Sequence, residues 1–533
     1  MNRIFAPAFL SLLLLVLTLR SLNFSQSHLI PTFDEPGYLD FARETEKTGV
    51  IATVTSYVQG TNDYAVRNPL YMMLIAPLMR HTPGDFPRAK MAGLVQMWTL
   101  ILVVFFLCRR LWGEPVALGA AALTALSPFS ALISQQVLAD ILFTLFFFAS
   151  VLVLLDQRRP LFSWTLAGAL AGLAFLTKDS GYLLLLAPLA LTCYDHRASF
   201  WKRPHLYLYI AGFIVTASFL LMRNLRVAGT LLHNDINKVT WLDDWRQYFL
   251  FSYQPIWADI GPAWYWSTHS LVDIAARLFN GFGDALVLVI MAMGVGFESK
   301  LWLFPAGFVL LLTALYGLYW TWNGPDRRIA LCAATMLSIM MLGLAWITPA
   351  TNPNVRYAYP IAVLLYPFAA AGLLRAGRHL FLRIDVSWIK TGAVAALVLA
   401  AIAVAFSARW PLNPWDDWTV PPFWAGTSSW IRTHIGDEPF LISHISPYSP
   451  WDTGRDTRRA FPYGLPTEVL RDRMNAGGIR FALLDQSVVG DDPYPQKYGP
   501  SDQHGPKTFL NLPRCYADAL TPSVFLIYGE SCD

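Results

Sequence analysis

The sequence predicts a polytopic α-helical membrane protein of about eleven spans, followed by a small α/β domain outside the cytoplasm. Three observations carry that expectation. Of 533 residues, 55% are hydrophobic and only 14% charged, where a soluble chain of this size holds about a quarter charged. Apolar runs alternate with short connectors, and every second connector is basic, the pattern expected when positive charge stays in the cytoplasm. From residue 409 the long apolar runs cease, and strand and helix patterns alternate instead. The abundant aromatics (20 Trp, 22 Tyr and 34 Phe) suit a chain that crosses many lipid–water interfaces. No basic run is interleaved with aromatics, which argues against a nucleic-acid partner.

Residues 4–19 are apolar after a single Arg3, and no small-residue cleavage site follows. They read as an uncleaved first span rather than a signal peptide, with the N-terminus cytoplasmic. The loop 20–88 is then external. It contains Asp34 and Glu35 at the head of a helix that carries Tyr38, Phe41 and Ala42 and stops at Gly49. Thr32 and Glu35 have capping-box spacing and Pro36 suits a first helical turn, so Glu35 is either a cap or a catalyst. Asp34 sits where the chain leaves the membrane, a place a charge avoids unless it acts there. The short apolar run Pro69–Met79 suits the interface.

Further spans follow at about 89–108, 115–133, 141–155, 162–177, 181–194 and 206–222, with Arg109-Arg110, Arg158-Arg159 and Arg197, Lys202 and Arg203 in the cytoplasmic connectors. An external, aromatic-rich segment 223–300 comes next, and spans at about 301–321, 329–348, 359–374 and 391–408 complete the set. The alternation requires that the Gly- and Met-rich run 285–297 be re-entrant or interfacial rather than a crossing. Eleven spans leave residues 409–533 outside; a twelfth would place them in the cytoplasm. The chain thus divides into a membrane module, 1–408, and a C-terminal domain, 409–533. Pro411, Pro414, Pro421 and Pro422 form a stiff linker between them. Helix patterns at Trp424–His434 and Thr467–Ala476 alternate with strand patterns at Pro439–His444, Ile479–Leu484 and Val524–Tyr528. Cys515 and Cys532 either close a short loop as a disulfide, which requires this tail to lie outside the cytoplasm, or stay free thiols. Cys108, Cys193 and Cys332 lie in or beside apolar runs.

The polar residues at the external ends of the spans form one set: Asp34, Glu35, Arg67, Asn68, Asp140, Lys178, Asp179, Arg223, Asn224, Arg356 and Tyr357. The middles of the spans are nearly free of charge. A transporter would hold its charges near the bilayer midplane, whereas a site at the interface suits a lipid-anchored substrate with a polar head. Arginine and lysine there hold a phosphate, and a carboxylate takes a proton from an acceptor hydroxyl. No nucleotide-binding loop or metal-ligand cluster is apparent in the sequence, so neither metal nor cofactor is expected. The aromatics Trp241, Trp245, Tyr248, Trp257, Trp264, Tyr265 and Trp266 either stack on sugar faces or anchor the interface.

Seven stretches, in order, resemble a GT-C glycosyltransferase of the protein O-mannosyltransferase and aminoarabinose-transferase branch. They are Phe33-Asp34-Glu35-Pro36-Gly37-Tyr38, Arg67-Asn68-Pro69-Leu70-Tyr71, Arg109-Arg110-Leu111-Trp112-Gly113, Leu126-Ser127-Pro128 with Ala139-Asp140, Ala167-Gly168 through Leu176-Thr177-Lys178, Met222-Arg223-Asn224 with Gly229, and Val355-Arg356-Tyr357-Ala358-Tyr359-Pro360. The resemblance covers about residues 5–375. It implies an inverting transferase that moves a monosaccharide from a polyprenyl-phosphate donor to a glycan, lipid or protein acceptor, at the outer face of the cytoplasmic (inner) membrane. It implies catalytic roles for Asp34, with Glu35 and Asp140 beside it, and donor-phosphate contacts for Arg67, Lys178, Arg223, Arg356 and Tyr357. Two departures stand out. The branch's Glu-Lys before Pro-Pro reads Val66-Arg67-Asn68-Pro69 here, and its Glu-Arg-Tyr reads Val355-Arg356-Tyr357. The alternative function is a transporter or flippase of lipid-linked saccharide.

Overall fold

The computed structural model describes residues 5–27, 31, 34–61, 67–82, 84–156, 158–232, 235–244, 247, 256–294, 300–349, 354–380, 422–436, 440–442, 457–459, 467–476, 478–485, 496, 498–502, 505–518, 525–530 and 532. The expected span at 391–408 and most of the proline linker lie outside the described residues.

The first half of the bundle comprises α1 (Phe5–Ser27), α5 (Asp85–Trp112), α6 (Glu114–Leu126), α7 (Pro128–Ser134), α8 (Asp140–Leu154), α9 (Pro160–Thr177), α10 (Leu186–His196) and α11 (Pro204–Ala228). Between α1 and α5 lie the short helices α2 (Glu35–Thr48), α3 (Val50–Gln59) and α4 (Leu70–Ile75). Among the described residues, eight helices are long and apolar enough to cross a membrane, and nine if the α6–α7 pair, bent by 59°, is one span. Pro128 begins α7, where it cannot donate to the preceding turn. The expected spans at 141–155 and 181–194 are shorter than a crossing helix: α8 has 15 residues, and a 3₁₀ segment Asp179–Leu185 precedes the 11-residue α10.

Another difference concerns the run 285–297. Its residues 285–293 are the C-terminal part of a continuous helix, α13 (Leu271–Met293), preceded by the short helix α12 (Pro262–Thr268), and 295–297 lie outside the described residues. By length and composition α13 is able to span. Asp273, Arg277 and Asp284 interrupt its first fourteen residues, which is why the sequence shows only the part from 285 on as apolar. Its start packs at the end of α15 (Arg327–Ile347), where the Arg277 Nε donates to the Trp346 carbonyl at 3.1 Å. Near its other end, the Ala292 carbonyl accepts from Tyr366 Oη at 3.1 Å, inside the bundle. Helices α14 (Lys300–Trp322) and α16 (Tyr359–Leu380) complete the set.

Helices α9 and α11 approach through glycines. A Cβ on Gly168 would stand 2.0 Å from the Tyr209 carbonyl oxygen, and one on Gly212 would stand 2.4 Å from the Thr165 carbonyl oxygen. Small residues at such crossings let backbones pack directly, which drives helix association in lipid. Gly168→Val is therefore expected to destabilise the protein by roughly 1–3 kcal/mol. A thermal melt in detergent that matched wild type would contradict this packing.

Ion pairs mark the two ends of the bundle. At one end Arg110 pairs with Asp156, and Arg328 with Asp195 at 2.6 Å. Asp156 follows the C-terminus of α8, so Asp140, at its N-terminus, belongs to the opposite end. There α2 is fastened to the start of α5: the fully buried Asp85 carboxylate accepts from Arg43 Nε at 2.8 Å, Arg88 Nη2 at 2.7 Å and the Arg80 backbone N–H at 2.8 Å.

The C-terminal region forms its own sheet. Six strands run in the order β2 (Thr457–Arg459), β1 (Phe440–Ile442), β3 (Phe481–Asp485), β8 (Phe525–Gly529), β7 (Leu512–Asp518) and β6 (Thr508–Phe509). The β1 pairings to β2 and β3 are parallel and the others antiparallel. β4 (Ser501–Asp502) and β5 (Gly505–Pro506) pair separately. Alternation along β3 separates two cores. Phe481 and Leu483 join Ile431 of α17 (Pro422–His434) and Ile435 just after it, whereas Ala482 and Leu484 join Leu470 and Met474 of α18 (Thr467–Ala476). Both expected helices and all three expected strands are present, and Cys515 and Cys532 are disulfide-bonded.

Candidate active site

Asp34 occupies the N-cap of α2 but makes no side-chain cap. Its carboxylate turns instead to two arginines: Arg67 Nη2 donates to Oδ1 at 3.1 Å and Arg356 Nη2 to Oδ2 at 2.7 Å. The carboxylate side chain is 36% exposed, so the clamp leaves it reachable. Burial alone would raise the Asp34 carboxyl. The Arg67 and Arg356 charges and hydrogen bonds more than offset it, holding the group well below the usual carboxylate range.

Each arginine is placed by its own element. The loop carrying Arg67 is pinned on both sides: Tyr57 Oη of α3 donates to the Arg67 carbonyl, and Asn68 Nδ2 donates to the Phe175 carbonyl of α9 at 2.5 Å. The Arg67 guanidinium lies 4.5 Å over the Tyr38 ring. Arg356 lies in a 3₁₀ turn, Val355–Ala358, capped by Asn354, whose Oδ1 accepts from the Arg356 N–H at 3.1 Å. Arg356 Nη2 also donates to Tyr357 Oη at 3.2 Å, while its Nε is buried without a hydrogen-bond partner.

A second charge pair stands beside the first. Lys178, directly after α9, donates from Nζ to Asp140 Oδ1 at 2.5 Å. A cation past a helix C-terminus and a carboxylate at a helix N-terminus both sit where the helix dipoles favour them. The Tyr357 ring joins the two pairs, 5.3 Å from Lys178 Nζ and 5.1 Å from the Arg356 guanidinium. The structure therefore gathers Asp34, Arg67, Asp140, Lys178, Arg356 and Tyr357 in one cluster.

Arg223 stands behind this cluster. Its guanidinium lies 5.5 Å over the Tyr57 ring and donates to Asn224 Oδ1 at 2.9 Å, with Nε buried and unpartnered. Glu35 is buried, and its Oε1 accepts from the Val137 backbone N–H at 2.7 Å. Thr32, the other half of the expected capping box, lies outside the described residues. Tyr57, which ties Arg67 to Arg223, was not among the residues the sequence singled out, because its partners are set by α3, a helix the sequence pattern did not mark.

The aromatics of 241–266 divide. Trp241 packs on Trp346 at 5.3 Å between ring centroids, and Tyr265 stacks on His269 at 3.9 Å. Arg277 lies between Tyr265 (4.9 Å) and Trp346 (4.6 Å), a cluster the sequence did not reveal. Trp266 is exposed, and Trp245, Tyr248 and the Trp257 side chain lie outside the described residues.

The chain is similar to known proteins in part of its sequence and in its fold. The family model "Dolichyl-phosphate-mannose-protein mannosyltransferase" matches residues 86–222, a stretch holding Asp140 and Lys178. The fold is similar to ArnT from Cupriavidus metallidurans bound to undecaprenyl phosphate, with TM-score 0.57 and 14% identity, covering 100% of this chain and 99% of that one. It is also similar to the Archaeoglobus fulgidus oligosaccharyltransferase tethered with an acceptor peptide, with TM-score 0.53 and 14% identity, covering 95% of this chain and 74% of that one. Comparison with curated proteins gives no match. In fold over the whole chain, and in sequence over residues 86–222, the chain is similar to multi-pass membrane glycosyltransferases of the GT-C class. Within that class its architecture is ArnT-like along the whole chain, and its sequence likeness to the mannosyltransferase family lies in the first half of the bundle.

Proposed function

We propose that the protein transfers a monosaccharide from a polyprenyl-phosphate donor to an acceptor hydroxyl, with inversion, at the outer face of the cytoplasmic membrane. The observation that carries this reading is the Asp34 carboxylate held between Arg67 and Arg356, with Lys178 and Asp140 alongside. The acceptor oxygen attacks the anomeric carbon as the bond to the lipid phosphate breaks on the opposite side. The acceptor proton passes to Asp34, and polyprenyl phosphate leaves with its charge met by Lys178, Arg356 and Arg67, the kind of preorganised stabilisation that carries much of such catalysis. Similarity to a protein bound to undecaprenyl phosphate supports a lipid-phosphate ligand. The outer-face assignment rests on the arginine-rich connectors at the opposite end. Residues 1–408 act as the membrane module and 409–533 as an external domain with a binding or shielding role.

A carboxylate clamped by two guanidinium groups is a weak base. In this reading the entering donor phosphate competes for Arg67 and Arg356 and so releases Asp34, raising its proton affinity when the acceptor needs it. The sign follows directly. Asp34 acts ionised, so rate is lost as pH falls through its pKa, and that pKa is lower in the free protein than in the donor complex. The acid limb of kcat is therefore expected to lie at higher pH than that of kcat/KM, by about one unit or more. Coincident limbs in a pH–rate series would contradict this release. The reading as a whole is tested by incubating the purified protein in vesicles with polyprenyl-phosphate sugars and following sugar transfer.

A further inference from the structure

Glu35, adjacent to Asp34, bonds a different segment of the chain from the one its neighbour bonds. It is 1% exposed, and its Oε1 accepts from the backbone N–H of Val137 at 2.7 Å. Val137 lies in the short connection between α7 and α8, three residues before Asp140. The countercharge is Lys90 of α5, 3% exposed, which feels the Glu35 carboxylate; its Nζ lies 4.4 Å over the Phe86 ring and 3.4 Å from Ser25 Oγ. The end of α7, where this connection begins, is held from two other sides. Ser21 and Ser134 share a hydroxyl hydrogen bond of 2.8 Å, and a Cβ on Gly93 would stand 2.6 Å from the Ser134 carbonyl oxygen. Glu35 is thus a covalent neighbour of one acid of the cluster and a hydrogen-bond partner of the segment that delivers the other.

We infer that Glu35 is a positioning residue: through the Val137 N–H, and balanced by Lys90, it sets the spacing between Asp34 and the Asp140–Lys178 pair. It exchanges no proton with substrate. This role rests on the glycosyl-transfer reading for its kinetic consequence but not for its structural one. Removing the carboxylate leaves a buried N–H without its acceptor and frees α2 to shift relative to α8. Displacement of reacting groups by about an ångström costs up to roughly a hundredfold in rate. Glutamine keeps an oxygen acceptor at the same reach, so it restores the contact while abolishing any proton-transfer role.

The test compares Glu35→Ala, Glu35→Gln and wild type by steady-state kinetics and by hydrogen exchange at the Val137 amide. Glu35→Ala is expected to lose about tenfold to a hundredfold in kcat with donor KM changed less than about threefold. Its Val137 amide exchanges faster, and Glu35→Gln reverses most of both effects. Wild-type kcat in Glu35→Ala overturns the inference. So does a Glu35→Gln variant that protects the Val137 amide yet is as inactive as alanine, because that result shows that the Val137 contact is not what Glu35 contributes to turnover. If Glu35→Ala does not fold, the glutamine variant alone decides between these outcomes. A wild-type protein inert with every polyprenyl-phosphate sugar overturns the transferase reading instead. In that case unchanged Val137 exchange in Glu35→Ala would separately overturn the contact.

Discussion

Asp34→Asn is expected to abolish sugar transfer while leaving the lipid phosphate bound at least as tightly as in wild type. The amide keeps the size of the carboxylate but neither accepts the acceptor proton nor competes for Arg67 and Arg356. Loss of a positioned general base costs about 10²–10⁴-fold in rate. The second half of the expectation follows from the clamp. Because Asp34 ion-pairs with both arginines, neutralising it removes the internal anion that the donor phosphate must displace. Kinetics with equilibrium binding of polyprenyl phosphate reads both halves. Retained turnover would refute the base assignment, and weakened phosphate binding would refute the competition.

Arg356→Ala is expected to have the next largest effect. Arg356 touches both Asp34 and Tyr357, and its buried Nε has no hydrogen-bond partner among the described residues. A donor group poised at a developing charge is worth about 10²–10³-fold in kcat. Its removal also leaves Asp34 with Arg67 alone, so the Asp34 carboxyl rises toward the ordinary carboxylate range. Arg356→Lys is expected to rescue only part of the loss, because an ammonium is a point charge without the planar fork that spans two partners. Equal kcat for Arg356→Ala and wild type would remove Arg356 from the leaving-group role.

The pattern of these effects reflects what was legible in the sequence. That Asp34, Arg67, Asp140, Lys178 and Arg356 meet at one end of the bundle follows from topology: each borders an apolar helix or sits in a loop between apolar runs, and antiparallel helices bring such ends together. The pairing among them was not legible, since it depends on side-chain reach across elements separated by 33, 38 and 322 residues. Glu35 shows the limit more sharply. Local spacing offered a cap or a catalyst, and the acceptor role toward Val137, 102 residues away, has no local signature. Helix α13 was half hidden by its three charged residues, which interrupt the apolar run although Arg277 is buried against Tyr265 and Trp346. In the C-terminal region the β6–β7 hairpin escaped notice because Leu510 and Asn511, at φ of 53° and 71°, take a turn usually marked by glycine.

The most direct test of the central claim follows a donor labelled in both lipid and sugar, using wild-type protein in sealed vesicles supplied with acceptor. The account predicts that free polyprenyl phosphate and labelled product appear together in equal amounts, and that neither appears with Asp34→Asn. Movement of intact labelled lipid saccharide across the vesicle membrane, without cleavage of the sugar–phosphate bond, would contradict it and identify a transporter instead.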